Sequence, residues 1–277
     1  MKILILFLSF YLIKGNVINQ TLKKNQGNVK IFIFNASQER LTPVDSLFSK
    51  NGEFKFDLKE GIYLVKVFYK DVIFRNIISI NKDTSLNFNI WETKSDEKIV
   101  KISRVHMAIL KEDNKISVTE VITFKNDENY AFFKPFEINL PEGIENFLPF
   151  TGLFLDEVII LKNKLLYHFP ISPPEEILSF EYYIKGDLEY QRVLPFKIDL
   201  FEIFLSENLK IEGIKDGENY ETAGKKYLRF KLKEIKENEM IYFKVKIKRG
   251  NYLKDIVPVL IVIIFIGIFL IFKWKKR

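Results

Sequence analysis

Apolar and polar residues alternate along most of this chain in short runs, which is the period of β-strands that bury one face. Residues 53–58 (EFKFDL) are the clearest example, because every second side chain is apolar and the others are charged. Asn51-Gly52 before this run and Gly61 after it are turn signals. Similar runs recur from residue 29 to residue 247, and no stretch of ten residues before residue 256 shows helical spacing. The pattern therefore predicts an all-β fold.

One long apolar run interrupts this pattern near the end of the chain. Residues 256–272 carry no charge and are followed at once by a basic tail, 273–277. Seventeen apolar residues predict a short transmembrane helix, and positive charge next to a span favours the cytoplasmic side. The expected membrane-anchor residues are Ile256, Phe272, Lys273, Trp274, Lys275, Lys276 and Arg277, with lipid contact through the helix.

A second apolar run, 3–13, follows Met1-Lys2 and ends at a polar segment. A positive start, a short apolar run and a polar exit are typical of a secretory signal. We therefore predict a signal peptide over residues 1–15, with cleavage near Gly15 or Asn16 and retention as a second anchor left open. The expected location is the cell membrane with a single span. The N-terminal domains would be extracytoplasmic, in the periplasm or on the cell surface, and the C-terminus cytoplasmic.

The strand signals divide into two groups separated by a charged segment. Residues 93–98 contain no apolar side chain, so we predict a linker over 94–98. The first group, 16–93, and the second, 99–250, are each long enough for a domain. The predicted fold class is thus two antiparallel β-sandwiches, immunoglobulin-like or transthyretin-like, plus one C-terminal transmembrane helix.

Charge and cysteine content narrow the range of functions. The formal net charge is +7, but six of the basic residues lie in the predicted signal and tail. The remainder carries a charge of only +1, which argues against a nucleic-acid partner. The chain has no cysteine, so thiol catalysis, zinc–thiolate sites and disulfides are excluded.

Residues 51–90 contain a series of short motifs in a fixed order. A turn is followed by Gly52-Glu53-Phe54 at the start of one strand, then by Gly61-Ile62-Tyr63 at the start of a second strand, and then by further strands. Over residues 27–92 the sequence resembles the carboxypeptidase-regulatory-like, or transthyretin-like, module. The resemblance implies a β-sandwich that serves as a folding, spacing or binding unit. It implies no peptidase activity, because the zinc site of carboxypeptidases lies in another domain.

The second half has a looser resemblance. A strand ending in residues 140–143 (LPEG), a hairpin, and the segment 169–174 (FPISPP) follow one another in that order. This order is similar to bacterial membrane-anchored envelope proteins, some of which occur beside cytochrome c maturation components. The resemblance implies an accessory role in envelope assembly or in cytochrome c maturation.

No residue set in the sequence predicts catalysis, a cofactor or a metal ion. His106 and His168 are isolated in strand patterns, and neither begins an H-x-x-E ligand pair. The adjacent acids Asp127-Glu128, Asp156-Glu157 and Glu175-Glu176 all fall in predicted turns, where carboxylates are normally solvated. We therefore expect a protein that is not an enzyme.

An aromatic segment is the candidate for recognition. Phe147, Phe150 and Phe154 lie close together around Pro149 and Gly152. They predict either a core strand with its corner or an exposed apolar loop that contacts a partner. The expected function is a non-catalytic scaffold that binds a protein partner near the membrane. The alternative is a binder of cell-wall or surface polysaccharide, and an enzyme ranks third.

Overall fold

The computed structural model describes residues 10–37, 40–222 and 224–248 of the chain. Within them it contains twenty-three β-strands and two one-turn 3-10 helices. The apolar residues collect into two large buried clusters, one for each half of the chain. The described part is therefore all-β and has two cores.

The first core lies between two sheets. Its strands are β1 (Phe10–Asn19), β2 (Lys24–Asn25), β3 (Val29–Asn35), β4 (Thr42–Ser49), β5 (Glu53–Lys59), β6 (Gly61–Tyr69), β7 (Val72–Ile80) and β8 (Thr84–Ile90). Strand β1 is central in one sheet, antiparallel to β5 and β2 on one side and parallel to β8 on the other. The second sheet has the order β4-β3-β6-β7. Strand β7 is consequently an edge strand.

A tight turn sets the position of β7. Lys70 and Asp71 join β6 to β7 with φ angles of 47° and 64°. Positive φ at both central residues is the geometry of a type I′ hairpin, whose twist matches that of the strands. Phe74 points into the core, so Arg75 and Ile77, one and three positions after it, both lie on the outer face of the sheet. This outer face meets the second domain.

The second core lies between a seven-stranded sheet and two three-stranded sheets. The remaining elements are β9 (Thr93–Lys94), η1 (Glu97–Ile99), β10 (Lys101–Glu112), β11 (Lys115–Lys125), β12 (Ala131–Phe132), β13 (Phe136–Asn139), β14 (Ile144–Thr151), η2 (Leu155–Glu157), β15 (Ile160–Leu161), β16 (Lys164–Tyr167), β17 (Glu175–Lys185), β18 (Leu188–Arg192), β19 (Ile198–Ser206), β20 (Leu209–Glu212), β21 (Glu218–Thr222), β22 (Lys225–Ile235) and β23 (Ile241–Ile247). The large sheet has the order β14-β17-β11-β10-β19-β22-β21, and the small sheets are β13-β16-β15 and β18-β23-β20. Strand β14 is therefore an edge strand too.

The two domains are connected by a shared pair of short strands. Strand β9 pairs in parallel with β12 of the second domain. Ala131 in β12 is buried in the first core, whereas its neighbour Phe132 is buried in the second. Phe133 also packs against the first core. The two domains are thus in direct contact through the β9–β12 pair and are not separated by a free linker.

The expected fold class needs correction. Within the described residues no helix is long and apolar enough to cross a membrane, and the only helical turns are η1 and η2. Residues 256–272, on which the transmembrane helix was predicted, lie outside the described part, as does the tail 273–277. The sheets are also not purely antiparallel, because β1 pairs in parallel with β8 and β10 with β19.

Two of the expected boundaries fall inside ordered elements. Residues 1–9 of the predicted signal peptide lie outside the described part, but residues 10–15 form the first half of β1. Ile13 there is only 1% exposed, since apolar neighbours surround it on the core side. The predicted linker 94–98 contains the end of β9 and most of η1, and Glu97 forms an ion pair with Lys134.

Candidate functional site: a groove between the two domains

A groove runs along the contact between the outer face of the first domain and the edge of the large sheet. It consists of three adjoining cavities, which we call the central, apolar and small cavities, of about 350, 350 and 190 Å³. Ile77, Gly152 and Phe154 line both the central and the apolar cavity. Arg75 and Glu176 line both the central and the small one. We refer to the three together as the interdomain groove.

Arg75 on β7 lines the groove and binds the second domain. Its Nη1 lies 2.6 Å from Glu157 Oε2, and its Nη2 donates a hydrogen bond of 2.7 Å to the carbonyl oxygen of Gly152. The guanidinium carbon lies 3.3 Å from the centre of the Phe169 ring, a cation–π contact. One side chain of the first domain therefore makes three separate contacts with the second.

Glu157 is the acidic partner in this contact. Its side chain is 5% exposed, and its second oxygen, Oε1, lies 2.6 Å from Nζ of Lys66 on β6. A buried carboxylate between two cations is stabilised by charge, because both partners lie in a region with little water. The expectation that Asp156-Glu157 is a solvated pair is wrong for Glu157. Asp156 accepts a hydrogen bond from the backbone N–H of Leu41 and adds a further contact between the domains.

Glu176 is the unusual acid of the groove. It is half-buried at the start of β17, and burial raises the pKa of its carboxyl to about 7, opposed by the charge of Arg75 and a backbone hydrogen bond with Ser172. Within the described part of the chain no basic side chain forms an ion pair with it. Its neighbour Glu175 is exposed. The solvated turn expected here is thus correct for Glu175 and wrong for Glu176.

The apolar cavity contains two of the three aromatic residues expected to contact a partner. Phe150 is 56% exposed and Phe154 lines the cavity, whereas Phe147 packs on Phe180 with ring centres 5.2 Å apart. Phe147 thus packs against the core, whereas Phe150 is exposed, and contact of this segment with a partner stays a prediction. Other exposed apolar side chains lie beside Phe150, and these are Ile77, Leu148, Leu155 and Ile177.

The two histidines lie apart from each other. His106 Nε2 lies 2.7 Å from Glu202 Oε2 on the outer face of the large sheet. His168 lies beside Arg75, and burial lowers the pKa of its imidazole. Within the described residues no group of three or more His, Asp or Glu side chains is placed to hold a metal ion. Neither histidine therefore has a ligand set around it.

A second buried charge cluster lies inside the second core. Arg192 and Glu120 are 1% and 0% exposed, and two guanidinium nitrogens contact the two carboxylate oxygens. The Tyr182 hydroxyl also donates to Glu120, with an oxygen–oxygen distance of 2.8 Å. Because no member of the cluster is accessible to solvent, it stabilises or specifies the core and is not a binding site.

The expected membrane-anchor residues, Ile256 to Arg277, lie outside the described part of the chain. The groove itself joins residues that are far apart in sequence, since Arg75 and Glu157 are separated by 82 positions. No local motif marks them. The only signal in the sequence was the aromatic segment that includes Phe150 and Phe154.

Comparisons with known proteins give few matches. No protein family matches the chain. A mitochondrial translation factor GUF1 homologue from Theileria annulata is 27% identical over 176 residues, which cover 57% of this chain but only 23% of that protein. Solved structures of an M1 zinc metallopeptidase from Deinococcus radiodurans, one of them a mutant bound to a Tyr-Ser-Ala substrate, are 8% identical with a TM-score of 0.35. They cover 53% of this chain and 42% of theirs.

Proposed function

We propose that this protein is a non-catalytic interaction protein that binds a protein partner in the interdomain groove. The observation that carries the proposal is a set of apolar side chains from both domains that converge at the groove while remaining 39–56% exposed. They are Ile77, Leu148, Phe150, Leu155 and Ile177. Apolar side chains scattered singly are normal on a surface, but a contiguous group beside a cavity is typical of an interaction site.

The geometry around the group supports binding by a protein rather than chemistry on a small molecule. The groove is bordered by two edge strands, β7 and β14, whose outer edges have no strand partner within the described residues. Edge strands with apolar neighbours are common attachment points for extended segments of other proteins. The Arg75–Glu157 ion pair is part of the contact between the two domains. It therefore holds the walls in place.

A photo-crosslinking experiment tests the proposal. Benzoyl-phenylalanine is introduced in place of Phe150 in the full-length chain, and cells are irradiated. We expect a covalent adduct with a distinct protein, and we expect Ile77→Asp to abolish it. The matched control carries the same group in place of Met240, which is also 56% exposed but lies outside the groove. Identical adducts from both positions, or none from position 150, would overturn the proposal.

Polysaccharide binding remains a second candidate because of one aromatic pair. Phe204 and Tyr220 lie on the outer face of the large sheet with ring centres 5.3 Å apart. Arg229 and Glu202 beside them offer hydrogen-bonding groups. Native gel electrophoresis with cell-wall polysaccharide in the gel tests this candidate. Slower migration of the protein that Tyr220→Ala reverses would support it, and unchanged migration would exclude it.

We also propose that the protein is located outside the cytoplasm, in the cell envelope, and that it serves envelope assembly, as the sequence resemblance implies. This location rests on the sequence of the two chain ends, which lie outside the described residues. The net charge of the part between them, close to neutral, agrees with a protein partner and gives no support for nucleic acid.

A further inference from the structure

Within the described residues, two carboxylates that line the interdomain groove, those of Glu175 and Glu176, form no ion pair, and Glu176 is the less exposed of the two. Arg75 is engaged by Glu157 and by the Gly152 carbonyl, and Lys66 is engaged by Glu157. Glu176 faces both the central and the small cavity without an ion-pair partner in the described ranges. A carboxylate that is half-buried without a partner is costly when ionised. Lys66 and Arg75 carry two positive charges against the single negative charge of Glu157. Glu175 and Glu176 add two negative charges, so the groove carries one negative charge in excess, at this pair of acids.

The walls around Glu176 combine polar and apolar side chains, and Arg75 and Glu175 are among the polar ones. Leu64 and Ile73 from the first domain and Ile177 from the second line the same central cavity. Its volume of about 350 Å³ is within the range of cavities that take up a ligand group. A cavity that offers apolar side chains from both domains beside a carboxylate is complementary to a long side chain with a methylene stem and a cationic head. Lysine and arginine have this structure.

The shape of the groove favours an extended segment. Asn76 and Ile77 belong to edge strand β7, and Thr151 ends edge strand β14 across the central cavity. A strand that lies along such an edge gains backbone hydrogen bonds and sends alternate side chains to the same side. Apolar side chains at alternate positions would contact the apolar cavity, and a basic side chain among them would reach the central one.

We propose that the occupant of the groove is an extended segment of a partner protein, apolar at alternate positions, whose lysine or arginine enters the central cavity and pairs with Glu176. This inference rests on the proposed function, because it names the chemistry of the partner at the same site. The pairing supplies the missing positive charge, so the carboxylate stays ionised when the partner is bound.

The test uses a phage-displayed library of random twelve-residue peptides selected on the purified full-length chain. Peptides retained by a Phe150→Asp variant are removed, because Phe150 is exposed and its replacement disturbs only the groove. We expect the remaining peptides to alternate apolar residues and to contain a lysine or arginine. The affinity of the most enriched peptide is then measured by fluorescence polarisation. Glu176→Gln should weaken it at least tenfold. Glu175 lines the same two cavities but is exposed to solvent, so Glu175→Gln, the matched control, should change it less than twofold.

A second peptide, in which norleucine replaces the basic residue, completes a double-mutant cycle between the peptide and Glu176. It should bind the wild type at least tenfold more weakly and bind Glu176→Gln as tightly as the original peptide does. Enriched peptides without a basic residue, or an affinity that Glu176→Gln leaves unchanged, would overturn the inference while leaving groove binding intact. A selection that yields no peptide dependent on Phe150 would overturn both the inference and the proposed function.

Discussion

Replacing Arg192 by methionine is expected to destabilise the second domain strongly. The guanidinium is 1% exposed and binds both oxygens of Glu120, which is 0% exposed. Its Nε and Nη2 also donate to the carbonyl oxygen of Asn139, at 3.2 and 2.9 Å. The variant leaves a buried carboxylate whose remaining donor is the Tyr182 hydroxyl. Removing one member of a buried ion pair costs about 3–5 kcal/mol, because the other charge stays desolvated and unpaired.

The double variant Arg192→Met with Glu120→Leu separates charge from packing. It leaves the Asn139 carbonyl without Arg192 and the Tyr182 hydroxyl without Glu120, and each loss costs about 1–3 kcal/mol. It leaves no charged group buried without its partner. We therefore expect the double variant to lose at least about 3 kcal/mol less than the two single losses added together.

Urea unfolding followed by circular dichroism measures all four proteins of this cycle. The midpoints should shift while the slope of the unfolding free energy against urea stays constant. A slope that changes would signal a different unfolded state and would invalidate the comparison. Single losses that simply add in the double variant would refute the reasoning, because they would mean that Arg192 and Glu120 are not coupled.

Three further variants test the interdomain groove and the N-terminal strand. Glu157→Gln should lower the unfolding free energy by about 3 kcal/mol in urea titrations, because it leaves two buried cations without their counter-charge; a loss below about 1 kcal/mol would contradict this. For Glu176, the folded pKa of about 7 lies above the ordinary 4.5, so protonation favours the folded state. The stability of the wild type relative to Glu176→Gln should fall by at most about 3 kcal/mol as pH rises from about 4.5 to about 7. Urea titrations that give the two proteins the same pH profile would contradict the raised pKa of Glu176. Gly15→Ala should cost about 1–3 kcal/mol in thermal or urea unfolding, because the added Cβ would lie 1.6 Å from the Leu86 carbonyl oxygen; unchanged stability would argue against the pairing of β1 with β8.

Local strand patterns in this sequence predicted the structure well. The alternation in residues 53–58 corresponds to β5, in which Phe54, Phe56 and Leu58 are buried and the charged residues between them are exposed. This works because a strand with one buried face has a side-chain period of two, which the sequence displays directly. The hairpin between β10 and β11, where Asp113 has a φ of 51°, is local in the same way, because the two strands are adjacent in sequence. Information that lies within ten residues was therefore sufficient for these elements.

The N-terminal run shows the limit of this reasoning. Residues 3–13 are almost continuously apolar, and that composition is shared by a signal sequence and by a strand with neighbours on both sides. In the structure Ile13 and Val17 on β1 are buried, and β5 and β8 flank the strand. The parallel pairing with β8 joins residues about seventy positions apart. Composition alone does not separate the two interpretations, because the flanking strands come from distant sequence.

The acidic residues of the groove could not be assigned from the sequence for a related reason. Asp156-Glu157 and Glu175-Glu176 look alike as adjacent acids near turns. In each pair, however, one carboxylate is buried or half-buried between the domains, whereas its neighbour is exposed. Burial of Glu157 depends on Lys66 and Arg75, which belong to a different core. A site formed between two domains becomes visible only when the contact between them is known.

The interlocking of the domains also bears on how the groove would bind. Ala131 of the second domain is buried in the first core, and Arg75 of the first makes three contacts with the second. Separating the walls would therefore expose apolar surface and break a buried ion pair at the same time. A groove held in this way does not lose conformational freedom when a partner enters, so that cost of association falls mainly on the partner segment. Affinity then depends on how well the partner segment fits walls that are already in place. A lysine or arginine of the partner that lies opposite Glu176 would therefore discriminate strongly between partners.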